Sequence, residues 1–215
     1  MLNNLISFSN KALVVIYFGL LLLACLIGFL RYFKLSENLK VLFYLINSIL
    51  IVEIIGLVFN FLSWSNNLVY IFFDFSIANL ILFFYVLNLF SKVSKCTFLI
   101  AFGLNFLLFV LCYFLFKDIS DFDFTYTLIY TFSILTFSIL LYWKHLGLDL
   151  QKKDVIILNF FFLYNITMAL INKFIVYYCY FERPYYIFAA QNFTFIYNII
   201  GFVFSIKLLL SKNEN

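Results

Sequence analysis

Val41–Leu62 reads VLFYLINSILIVEIIGLVFNFL, and this stretch decides the fold. As a helix rising about 1.5 Å per residue it reaches across the roughly 30 Å hydrocarbon core of a bilayer. Its one ionisable residue, Glu53, stands deep inside a run of Ile, Leu and Val. A charge at the centre of a membrane helix costs about 2.5–3.5 kcal/mol on insertion scales. Glu53 therefore marks a candidate functional site as well as a membrane span.

The rest of the chain has the same character. Its 215 residues are 66% hydrophobic, 24% aromatic and only 11% charged, with a mean hydropathy of +1.08. A soluble domain carries about 25% charged residues. So few charges cannot cover the apolar surface in water, so membrane lipid is the expected solvent and partner. The length allows a single domain, residues 1–215, without a separate soluble one. The 33 Phe and 16 Tyr accompany abundant Asn and Ile, as a drift toward AT-rich codons would produce. Aromatic abundance alone is thus no sign of a ligand.

Seven apolar segments of spanning length can be marked, at about 12–33, 41–62, 68–90, 97–116, 124–143, 155–175 and 186–209. They are continuous, without apolar–polar alternation, which argues against a membrane β-barrel. The expected fold is an all-α, seven-transmembrane up-down helix bundle, because short connections force neighbouring helices antiparallel. The first apolar run exceeds the core of a signal peptide and ends in Arg31, so it is expected to stay as a span. Pro184 breaks the chain before the last helix.

Orientation follows from the basic residues of short loops. Arg31, Lys34, Lys40, Lys92, Lys95, Lys144, Lys152, Lys153, Lys207 and Lys212 fall on one side. Lys11, Lys117, Lys173 and Arg183 fall on the other, with Asp118, Asp121 and Asp123. The N-terminus is expected outside and the C-terminus in the cytoplasm. Trp64 and Trp143 fall at opposite interfaces, as an aromatic belt places them.

Seven residues form the candidate ligand site: Glu53, Asn60, Asp74, Asn172, Lys173, Gln191 and Asn192. Glu53 and Asn60 are a heptad apart and share a helix face. Glu53 lies about 13 Å and Asp74 about 9 Å below the outer ends of sequential helices, so the carboxyls sit at similar depth. Lys173, Gln191 and Asn192 belong to the same outer half. An outward polar pocket lined by helices two, three, six and seven is one reading. The other is a structural network with Glu53 bonded between helices. Inside the bundle Glu53 has Asn, Tyr and Lys173 as available partners, whereas lipid offers none.

An internal echo accompanies the site. Asn47, Glu53 and Asn60 match Asn159, Asn165 and Asn172 in spacing, and Tyr70-Ile-Phe…Asp74 resembles Tyr186-Ile-Phe…Gln191. A parallel three-plus-one-plus-three repeat predicts such a pattern, and coincidence among abundant asparagines is the alternative.

Other chemistries find little support. Cys25, Cys96, Cys112 and Cys179 share no metal-type spacing, so neither disulfide nor zinc is expected. His145 is the only histidine and lies in a loop, and no HExxH, nucleophile elbow or phosphate loop occurs. No catalytic activity and no cofactor are expected. Lys207, close to the end of the last helix, is misplaced for a mid-membrane retinal lysine, and receptor signature triplets are missing. The charge of +4 is too small and scattered for a nucleic-acid partner.

The motif Ile51-Val-Glu-Ile-Ile-Gly56, with the aromatic-rich third segment after it, resembles small uncharacterised seven-helix membrane proteins of Bacteroidetes-type bacteria. The resemblance covers helices two and three. It implies seven spans and a bacterial inner membrane, and brings no activity. The expected function is a sensor or receptor that binds a small ligand or ion and signals through a protein partner in the membrane or cytoplasm. Alternatives are a small-solute or ion transporter and a structural subunit of a membrane complex.

Overall fold

The computed structural model describes the backbone over residues 2–64, 67–90, 95–115, 119–145, 153–179 and 184–211, and side chains over 11–64, 69–90, 97, 99–115, 124–144, 155–175 and 192–211. Among these residues there are seven α-helices and no strand: α1 (Leu2–Arg31), α2 (Glu37–Phe61), α3 (Asn67–Leu89), α4 (Lys95–Leu115), α5 (Ile119–His145), α6 (Lys153–Cys179) and α7 (Pro184–Leu210). A short 3-10 turn, Tyr32–Lys34, joins α1 to α2.

Helix ends follow local chemistry, not the edges of the apolar runs. α2 starts at Glu37 because Ser36, in extended backbone, accepts a hydrogen bond from the Leu39 N–H. Its first turn is polar, with an exposed Glu37–Lys40 ion pair, so the apolar run begins one turn late. At its other end the Ser63 N–H donates to the Asn60 carbonyl and the Trp64 N–H to the Phe59 carbonyl. Ser63 has φ 56°, the left-handed residue this double-bonded helix stop requires. The Trp64 ring packs edge-on against Phe59 at 5.5 Å, completing the stop. Likewise α5 and α6 extend beyond the apolar segments 124–143 and 155–175, since a helix continues until its backbone finds a cap.

Long-range hydrogen bonds and ring contacts give the helix directions. Arg31 at the end of α1 donates to the Leu209 and Ser211 carbonyls at the end of α7. Lys144 near the end of α5 donates to the Asn88 and Leu89 carbonyls at the end of α3. Both cations satisfy carbonyls that a helix end leaves open. Asn88 late in α3 meets Asn38 early in α2, and Asp74 early in α3 pairs with Lys173 late in α6. Phe75 and Phe72 of α3 meet Phe102 and Phe109 of α4 in reversed order. So α1, α3, α5 and α7 run one way, and α2, α4 and α6 the other.

The helices pack in chain order around a ring that closes between α1 and α7. α3 and α5 meet directly, which leaves α4 outside that pair. The exterior is apolar, unlike that of a soluble protein, and polar side chains are set within a mainly apolar interior. Asn88, Asn105, Thr127, Thr131, Ser138, Asn159 and Ser205 are buried, while Leu22, Phe29, Leu57, Leu104, Leu107, Phe114 and Phe132 are exposed. Ser and Thr hydroxyls on these helices bond back to the carbonyl four residues earlier, as at Ser48, Ser76, Thr131 and Ser205, and so need no water.

Six described stretches are long and apolar enough to cross a membrane, the first being Lys11–Lys34 and the last Asn192–Leu210. In α4 the described apolar stretch, Leu99–Leu115, is shorter. By helix length and composition this is a multi-pass integral membrane protein whose exposed faces suit lipid.

Gly28 sets the approach of α1 to α2. A Cβ there would lie 2.3 Å from the buried Phe43 ring, whereas one at Gly19 would meet nothing within 4 Å. Gly28→Ala should therefore lower stability by about 1–3 kcal/mol through overpacking. Gly19→Ala should be neutral or slightly stabilising. Detergent melting curves of the two variants check this, and equal curves would show that the approach is not close.

Candidate functional site

Polar side chains of one stripe per helix converge on a cavity of about 300 Å³ in the middle of the ring. The walls come from six helices: Tyr17 of α1, Glu53 of α2, Tyr70 and Asp74 of α3, Tyr126, Thr127, Tyr130 and Thr131 of α5, Asn165, Asn172 and Lys173 of α6, and Thr194, Tyr197 and Asn198 of α7. Phe73, Ile77, Phe161 and Phe162 supply apolar wall between them. The cavity lies toward the end of the ring where α2 and α6 finish and α3, α5 and α7 begin.

Local spacing places each group. Tyr70 and Asp74, Tyr126 and Tyr130, and Thr127 and Thr131 are each four residues apart, one above the other on a helix face. Gly56, one turn beyond Glu53, leaves room for Tyr70, whose hydroxyl would be 3.0 Å from a Cβ at that position.

Two anchors dominate the electrostatics. The Tyr17 hydroxyl donates to Glu53 Oε1 at 2.6 Å, and the Tyr17 ring is wedged against Phe195 and Phe202 of α7, each with centroids 5.3 Å away. Asp74 and Lys173 form a short ion pair across α3 and α6, with side chains 28% and 22% exposed. Such a pair, drawn partly out of water, offsets part of its desolvation cost by mutual attraction.

Beside these anchors stand polar atoms with no partner. The Thr127 and Tyr130 hydroxyls and Asn172 Oδ1 are buried and make no hydrogen bond within the described structure. A buried polar group left unmatched costs about 1–3 kcal/mol. The residues that carry them line the cavity from α5 and α6, with these atoms themselves closed off from it.

Of the seven sequence candidates, Glu53, Asp74, Asn172 and Lys173 line the cavity. Asn60 is exposed in the last turn of α2, beyond the cavity wall. Asn192 has a buried, unpartnered Oδ1 but sits about 200° around α7 from Thr194, off the cavity stripe. The Gln191 side chain lies outside the described residues. The pocket also takes walls from α1 and α5, beyond the four helices expected. Lys173 is the partner of Asp74, and Glu53 turns to a tyrosine instead. The tyrosines and the α5 threonines escaped the sequence reading. Their i, i+4 spacing was the available signal, drowned by the aromatic content of the whole chain.

A second cavity, of about 340 Å³, lies between α3, α4 and α5 and is mostly apolar, with Leu82, Val86, Ile100 and Leu104 in its walls. Tyr130 lines both cavities and so stands as the partition between them. Deeper, toward the other end of the ring, Tyr85 donates to Asn159 at 2.8 Å and Asn159 reaches the Ser138 carbonyl at 3.5 Å. That network is closed on itself.

Chemically the central cavity can bind. No group of three metal-type ligands is found among the described residues. Cys25 and Cys112 are buried free thiols away from its walls.

Tyr17→Phe should lower stability by about 1–2 kcal/mol, because it removes the one hydrogen bond donated to Glu53. Tyr17→Leu should lose more, with the ring contacts to α7. Unchanged melting of Tyr17→Phe would show that Glu53 does not depend on this hydroxyl. Neither family models, nor curated proteins, nor solved structures give a match to this chain.

Proposed function

We propose that the protein is a seven-span membrane receptor or sensor that binds a small ligand or ion in the central cavity. It has no catalytic role in this reading and acts through a partner protein in the membrane or cytoplasm. The observation that carries the reading is the cavity itself, about 300 Å³ in volume and lined by an ionisable pair, by Glu53 and by three residues with an unpartnered polar atom. A purely structural network would be expected to satisfy its own groups. The volume is at the small end of ligand sites.

The proposed setting is a bacterial inner membrane, with the N-terminus outside and the cavity in the outer half. The described basic residues Arg31, Lys34, Lys40, Lys144 and Lys207 gather at the ring end opposite the cavity, in keeping with a cytoplasmic face. A periplasm-active reporter fused after Asn67 or Asp121 should be active, and one after Lys95 or Lys153 inactive. The reverse pattern would overturn the orientation.

A transporter is the second reading, favoured by the helix neighbours. α1 packs on α7 as α5 packs on α3, and α1–α2–α3 neighbours one another as α5–α6–α7 does. A parallel three-plus-one-plus-three repeat would give that pattern. Against it, the polar groups beyond the cavity, Tyr85, Asn159 and Ser138, bond to one another and offer no open path. A structural subunit is less favoured. Ala24 and Gly28, the small pair that could serve another chain, are buried inside this one, with Gly28 against Phe43.

Glu53→Gln tests the reading. The amide keeps size and hydrogen bonding, so the melting temperature in detergent should stay within a few degrees. Ligand-induced stabilisation, screened with a panel of charged and neutral metabolites, should disappear. A Gln variant with unchanged melting and unchanged ligand response would remove Glu53 from the site.

A further inference from the structure

We propose that the central cavity selects a small organic cation, an amine or quaternary ammonium compound, with Glu53 as its counter-charge. This rests on the ligand-binding reading above and names its substrate class.

The charges of the cavity do not cancel. Among its described lining residues the charged side chains are Glu53, Asp74 and Lys173. Asp74 and Lys173 hold each other. Among the described residues Glu53 receives only the Tyr17 hydroxyl, a dipole and not a charge, and no basic nitrogen lies within salt-bridge distance of it. The site therefore holds one acidic group in excess. In a water-poor surrounding, a single cation delivered to that carboxylate is worth far more than in bulk solvent.

The walls say which kind of cation. Tyr17, Tyr70 and Tyr197 line the cavity from α1, α3 and α7, and aromatic rings attract ammonium groups. Calcium takes six to eight oxygen ligands and zinc three or four His, Cys or carboxylate groups, whereas no group of three such side chains is found among the described residues. A bare alkali ion is poorly matched to aromatic walls and to a volume of about 300 Å³. An anion would find the one lysine already taken by Asp74. The hydroxyls of Thr127 and Tyr130, 6% and 7% exposed, and Asn172 Oδ1 are unpartnered.

The experiment uses the purified full-length protein in detergent and follows thermal stabilisation and equilibrium binding at constant ionic strength. The cationic probes are tetramethylammonium, choline and benzylamine. Their neutral counterparts are 3,3-dimethylbutan-1-ol for choline and benzyl alcohol for benzylamine, with sodium chloride and acetate as ionic controls. At least one organic cation should stabilise the protein saturably, with its neutral counterpart at least about tenfold weaker, as loss of a buried charge partner requires. Glu53→Gln should weaken that binding by a similar factor, and Glu53→Asp, which keeps the charge, should bind more tightly than the Gln variant. If Gln fails to fold, the Asp variant and the neutral counterparts still decide. Equal binding of cation and neutral counterpart, or full binding by Glu53→Gln, overturns the cation class. Stabilisation by a neutral or anionic probe that Asn172→Ala or Thr127→Ala abolishes overturns the class while leaving the binding site in place. No stabilisation by any probe overturns the cation class, and a panel of wider metabolites without effect then removes the ligand reading as well.

Discussion

Hydrocarbon does not solvate charge, and the whole arrangement of this protein follows from that constraint. Three ionisable residues of the spanning helices, Glu53, Asp74 and Lys173, turn into the ring and find hydrogen-bonding partners there. Asp74 and Lys173 tie α3 to α6, and Glu53 with Tyr17 ties α2 to α1. Cations near the helix ends are treated differently. Arg31 and Lys144 run their long side chains to the exposed carbonyls of α7 and α3, where a basic group complements a helix C-terminus. Ion pairing inside and carbonyl capping at one end together fix helix order and direction.

With the charges inward, the outer surface is free to be Leu, Ile, Phe and Val, and packing between helices cannot rely on the hydrophobic effect. Close shape fit takes its place. Gly28 admits the Phe43 ring, Gly56 admits Tyr70, and Phe84 meets Phe162 edge-on at 4.9 Å. The bulky tyrosines that fill the ring also bring hydroxyls into it, so the same residues serve as packing and as polar lining. The cavity survives where several such residues meet from six helices and none can fill the centre. Tyr130 lines both cavities.

Much of this was legible in the residues and some was not. The seven helical segments are visible because uninterrupted apolar runs have one solution in lipid, a helix that satisfies its own backbone. Four site residues, Glu53, Asp74, Asn172 and Lys173, stood out because polar groups in such runs are costly. Helix ends did not stand out, since Ser36 and Ser63 act through capping geometry and not through hydrophobicity. Pairing was also hidden. Which carboxylate takes Lys173 depends on the packing of α3 against α6, which no single helix encodes. Asn60 was misplaced for a related reason: a heptad keeps a residue on the same stripe but says nothing about where along the helix the cavity stops. Tyr17, Tyr126 and Tyr130 are hard to distinguish within so aromatic a chain, and Thr127 and Thr131 carry no charge to mark them, although Thr127, Tyr130 and Thr131 lie on one face of their helix.

The inward pairing of charges is most directly tested by exchanging Asp74 and Lys173. Asp74→Lys and Lys173→Asp alone each place two like charges together in a partly buried site. The double variant restores one of each. Folded yield and melting temperature of the four proteins in detergent form a cycle whose coupling is free of the individual costs. If the two residues hold each other inside the ring, both single variants should be destabilised by about 3 kcal/mol or more, and the exchange should recover a large part of that loss. Strictly additive effects, or single variants as stable as the parent, would contradict a ring organised around inward-paired charges.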